Sequence, residues 1–108
     1  MIGVINTQGK TTKQIVTEAM DNIGLNKANL GYGHLRDAIL ECLKNPGYVN
    51  SITALYKLIA KKNDSTSSRV ERAIRHNFEI LHGAEKRPTR EYIAHIVDDI
   101  NMLFDEEA

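Results

Sequence analysis

Apolar residues recur along this chain at spacings of three and four, and almost nowhere do they alternate. In "TTKQIVTEAMDNI", Ile15, Ala19, Met20 and Ile23 share one face of a predicted helix. Thr11 or Thr12 is placed to cap it, and Gly24 to end it. "NKANLGYG" reads as a loop. "HLRDAILECLKN" then sets Leu35, Ala38, Ile39, Cys42 and Leu43 on a buried helical stripe that "NPG" stops. "SITALYKLIAKKN" repeats the pattern with Ile52, Leu55, Tyr56, Ile59 and Ala60, ending in lysines that suit a helix C-terminus.

After the polar break "DSTS", a further helix runs to about Leu81 and stops at Gly83. Val70, Ile74, Asn77 and Leu81 share its inner face, with Ala73 and Phe78 on the flanks. "EKRP" reads as a turn, and Thr89 as the N-cap of "REYIAHIVDDINMLF". Ile93, Ile96, Val97, Ile100 and Leu103 form the last apolar face. No strand, repeat or low-complexity segment is apparent. The expectation is an all-α single domain over residues 1–108, of five to six helices, with residues 1–10 as an N-terminal arm.

The join between the third and fourth of these helices changes the picture. A supporting helix over about 51–62, a break of about four residues and a second helix over about 67–82 have the spacing of a helix-turn-helix. In that motif the second helix enters the DNA major groove. Thr66 and Ser68 compete as its N-cap, the latter with Glu71 completing a capping box. Thr66 is preferred because it leaves Ser67 and Ser68 free in the first turn.

Charge points the same way. The chain is formally neutral, with 14 basic and 14 acidic residues. Residues 57–90 nevertheless hold nine basic side chains against four acidic, and residues 91–108 hold six acidic and no Lys or Arg. Positive charge therefore collects around "SSRVERAIRH".

Winding that stretch at about 100° per residue puts Ser68, Arg72, Arg75 and Glu79 opposite the apolar face. Glu71 flanks the group on one side, Arg69 and His76 on the other. Arg can bond guanine through two donors, and Glu can accept from the cytosine amino group. Lys61, Lys62, Thr66 and Ser67 suit phosphate oxygens. The competing reading is a solvated face with Glu71–Arg75 and Arg75–Glu79 pairs four apart.

Other chemistry is sparse. Hydrophobic residues make up 42% and charged residues 26%, ordinary for a globular domain. Apolar runs are too short for a signal peptide or a membrane span. The single cysteine, Cys42, allows no internal disulfide, suits a cytoplasmic setting, and reads as a small buried hydrophobe. Glu79 and His82 stand at i, i+3 without the second pair a carboxylate-bridged metal site needs. His34 and His95 read as packing or surface histidines. Gly9-Lys10-Thr11 lacks the earlier glycine of a phosphate loop, having Val4 there. No catalytic group, cofactor, metal or small-molecule substrate is expected.

"GYGHLRDAI", "SITALYKLIAKK" and "TSSRVERAIRH" together resemble the C-terminal effector domain of the sporulation master response regulator of endospore-forming bacteria. The likeness spans roughly residues 31–82, resumes over "KRPTREYIAHIVDDI", and is weaker in the first thirty residues. The resemblance implies an all-helical domain binding double-stranded DNA at short boxes of the TGTCGAA type, often as tandem dimers. It maps base contacts onto Ser68, Glu71 and Arg72, and further DNA contacts onto Arg69, Arg75 and His76.

Two departures from the family stand out. The effector is expected to stand without a receiver domain ahead of it, and occupancy to follow concentration without phosphorylation. "HGAEKRPT" also replaces a longer stretch, associated in the family with polymerase contact. The expected function is a sequence-specific DNA-binding regulator acting as a repressor or competitor. The rival is a protein-interaction module that pairs with a full-length regulator without touching DNA.

Overall fold

The computed structural model describes residues 2–82 and 87–107. Five α-helices and one 3-10 turn follow in order: α1 (Thr12–Ile23), α2 (Leu30–Lys44), the turn Pro46–Asn50, α3 (Ile52–Lys62), α4 (Ser67–His82) and α5 (Thr89–Glu107). No strand occurs among the described residues. The expected stop at Gly83 and the first half of the "EKRP" turn lie outside them.

Local signals account for most helix ends. Thr11 and Gln14 form a capping box, with Gln14 N donating to Thr11 Oγ1 at 3.1 Å and Thr11 N to Gln14 Oε1 at 2.8 Å. Gly24 closes α1 in the left-handed region, at φ 98°, which costs a glycine little. Leu25 N then reaches Met20 O at 3.2 Å, so the last carbonyls of α1 are satisfied.

One expectation fails at α2. The stretch "NKANLGYG" is a loop only as far as Asn29; the helix starts at Leu30, four residues before His34. Asn29 Oδ1 caps it by accepting from Gly31 N at 2.9 Å. Glycine is unfavourable within a helix, and the reason for Gly31 is tertiary. A Cβ there would stand 2.0 Å from the Ala73 carbonyl oxygen, so α2 and α4 cross nearly backbone to backbone.

That crossing organises the core. α2 packs most extensively on α4, α4 also meets α3 and α5, and α1 closes against α2. Leu35, Ile39, Leu55, Ile59, Ile74 and Ile96 are fully buried at the centre. Phe78, expected on a flank, is buried and stacks on Tyr92 with ring centroids 4.5 Å apart. Thr89 is the first residue of α5 and is itself buried, rather than standing outside as a cap. The N-terminal arm is packed too. Ile2 and Ile5 are buried, and Asn22 Nδ2 donates to Ile2 O at 2.9 Å.

Candidate nucleic-acid interface

The turn between α3 and α4 is built by backbone bonds. Asn63 N and Asn63 Nδ2 both donate to Ile59 O, at 3.1 and 2.8 Å, and Ser65 N donates to Ala60 O at 2.9 Å. Asp64 takes the left-handed conformation the reversal needs, φ 51°, which short polar side chains tolerate better than most. Thr66 then caps α4, its Oγ1 accepting from Arg69 N at 3.2 Å. The cap therefore falls on Thr66 and not Ser68, which leaves the Ser67 and Ser68 hydroxyls in the first turn.

The rotation of α4 about its axis decides what it presents, and its inner face settles that rotation. Val70 and Ile74 are fully buried, with Asn77 and Phe78 nearly so. Asn77 Oδ1 accepts from Asn26 N at 3.3 Å, tying the α1–α2 loop to the helix. A polar side chain on an apolar face thus serves the connection between elements. Opposite it, Ser68, Arg69, Arg72, Arg75, His76 and Glu79 are exposed, and Glu71 is half-buried.

Open grooves flank this face. On one side a trough of about 430 Å³ is lined by Thr53 and Tyr56 of α3 and by Ser67, Ser68, Glu71, Arg72 and Arg75 of α4. It continues through Tyr56, Glu71 and Arg75 into a second trough of about 340 Å³. Ile52, Arg87, Thr89 and Arg90 line that extension. On the far side a groove of about 550 Å³ runs between Asn29 and Leu30 of α2 and the Arg69, Ala73 and His76 side of α4. Leu30 stands 72% exposed there.

The electrostatics divide the cations into held and free. Arg75 lies between Glu71 and Glu79, at 3.6 and 3.5 Å. These are the pairs the solvated-face reading expects. Exposed pairs of this kind contribute about 0–1 kcal/mol and are screened by salt, so a phosphate or a base edge competes with them easily. Arg69 and Arg72 form no ion pair among the described residues. Lys62 donates to Glu41 Oε1 on α2, and that hydrogen bond raises the pKa of its ammonium. Lys61, beside it, is exposed and forms no ion pair among the described residues. Neither lysine lines the grooves beside α4. Burial, then the Glu71 charge, pushes the Tyr56 hydroxyl up to about 12, so it remains a protonated donor at the trough.

Most of the expected site residues therefore meet on one surface. Ser67, Ser68, Glu71, Arg72 and Arg75 share the trough, and Arg69 and His76 face the opposite groove along with Arg72 and Arg75. Sequence reading missed Thr53, Tyr56, Leu30, Arg87 and Arg90 as neighbours of this surface. The two arginines were counted in the basic third of the chain, but no local pattern places α5 beside α4. Glu79 and His82 are engaged elsewhere, Glu79 with Arg75 and His82 stacked on Tyr92 at 5.0 Å.

A supporting helix, a tight turn and a capped second helix with a polar, arginine-bearing outer face make this a helix-turn-helix domain of the DNA-binding kind. No helix among the described residues is long and apolar enough to cross a membrane. Residues 16–102 match the family model described as sporulation initiation factor Spo0A C terminal. The chain belongs to that family of helical DNA-binding effector domains, which is not a family of enzymes.

Proposed function

We propose that this chain binds double-stranded DNA sequence-specifically through α4 and acts as a repressor, or as a competitor of a full-length regulator at shared sites. The observation that carries the reading is the outer face of α4. It is turned outward by a buried inner face, with Arg69 and Arg72 exposed and without an ion pair among the described residues. Arg72 reads a guanine edge, Glu71 a cytosine amino group, and Ser68 a neighbouring base. Arg69, Arg75, His76, Thr66, Ser67 and Lys61 meet phosphates, and Lys62 does so by exchanging Glu41 for one. Boxes of the TGTCGAA type are the expected target, occupied by paired chains on tandem sites, in the cytoplasm.

The negative sign of regulation rests on the link between α4 and α5. Only residues 83–88 separate the two helices, where the resembling regulators carry a longer stretch associated with polymerase contact. A domain that keeps the reading helix and lacks that stretch occupies its boxes without recruiting polymerase. Purified protein added to a transcription reaction on a box-containing promoter tests this. Loss of transcript, relieved by Arg72→Ala, is the expected result; stimulation above the protein-free level overturns it.

A further inference from the structure

We infer that Arg87 and Arg90, at the start of α5, form a second phosphate-binding point on the same DNA, beyond the recognition helix. The inference rests on the DNA-binding reading and extends it to a surface outside the helix-turn-helix. Its basis is the distribution of the arginines. Arg75 is held by Glu71 and Glu79, and Arg36 by Thr17 and the Tyr32 ring. Lys10, Lys27, Lys44 and Lys62 each face a carboxylate. The remaining arginines, Arg69, Arg72, Arg87 and Arg90, have no ion pair among the described residues. All four lie along α4's outer face or the trough that continues from it.

The placement is a property of the packing. The buried Thr89 seats the first turn of α5, and Arg87 and Arg90 stand exposed on either side of it. Their trough is continuous with the one holding Ser67, Ser68 and Arg72, through Tyr56, Glu71 and Arg75. Among the described residues lining the extension, Glu71 is the acidic side chain, and it is already within 3.6 Å of Arg75. With Arg75 offsetting Glu71, the charge left over is that of Arg87 and Arg90. A guanidinium suits this role because its fork of donors matches two phosphate oxygens and it is never neutralised at physiological pH. A phosphodiester strand leaving the first turn of α4 along this trough meets both. The contact carries no sequence information, because it reads the backbone alone.

Arg87→Gln with Arg90→Gln tests the inference, with Arg87→Lys plus Arg90→Lys as the charge-preserving control. Binding of each variant to box and non-box duplexes is measured across a salt series. The glutamine variant is expected to flatten the dependence of log affinity on log salt by about two units, at about 0.9 per phosphate lost. It should weaken both duplexes by the same factor, while the lysine variant keeps the wild-type slope. A wild-type slope in the glutamine variant overturns the inference and leaves α4 as the reader. Loss of box preference with an unchanged slope overturns it as well. Wild-type protein that binds no duplex at all overturns the DNA reading and this inference together.

Discussion

Arg72 on α4 and Gly31 on α2 test different links between sequence and function. Arg72 is exposed on the outer face and carries no ion pair among the described residues, so little in the free fold depends on it. Arg72→Ala should cost on the order of 1–3 kcal/mol in binding to a specific box and leave non-specific binding less affected. Equal box affinity in a folded Arg72→Ala protein would remove it from the reading surface. Gly31 is the reverse case, buried against the α4 backbone. The Cβ of Gly31→Ala would be driven to 2.0 Å from the Ala73 carbonyl, a rigid backbone atom that cannot swing away. Overpacking of this kind costs about 1–3 kcal/mol or more, read as a lower urea midpoint. Because the displaced element is α4 itself, DNA affinity should fall along with stability.

At the scale of elements, the helix-turn-helix depends on its cap and on the lysines closing α3. Thr66→Ala removes the acceptor for Arg69 N and should cost about 1 kcal/mol of folding stability. Thr66→Ser should restore most of it. A denaturant titration of the three proteins checks both. The two lysines should separate in a salt series. Lys61 has no ion pair among the described residues, so Lys61→Ala should flatten the salt slope by about one unit. Lys62 already has Glu41 as a partner, so Lys62→Ala should flatten the slope less. Equal effects of the two substitutions would mean that DNA displaces Glu41 completely.

Across the whole molecule, buried neutral acids link stability to alkaline pH. Burial, assisted by the Glu41 charge, pushes the Cys42 thiol up to about 11 from an ordinary 9.0. Burial, with the Asp21 hydrogen bond, takes Tyr32 to about 12 from 10.0, and Tyr56 shifts likewise. In each case the folded state holds the proton more tightly than the unfolded chain. Stability from these groups is therefore complete below pH 9 and declines as pH rises, through about 11 for Cys42 and about 12 for the tyrosines. Urea midpoints should be lower at pH 10.5 than at pH 8. Native Cys42 should resist thiol reagents at pH 8; rapid labelling there would contradict a buried thiol. By itself the sequence determined what is local: where apolar faces recur, that Thr11 or Thr12 caps the first helix and Thr66 the fourth, where Gly24 ends a helix, and how far the serines and arginines of α4 stand from its apolar stripe. Each of these is a matter of residues within one or two helical turns, so a linear pattern encodes it. Only the tertiary structure decided the rest. Gly31 belongs to a helix because α4 passes within reach of its missing side chain, Lys62 is tied to Glu41 across helices, and Arg87 and Arg90 join the reading surface because α5 packs against α2 and α4. The contacts that carry this, α5 against α2, α4 and the Pro46–Asn50 turn, join residues distant in the chain, and the geometry that brings them together is set by which buried faces fit one another, which periodicity alone does not specify.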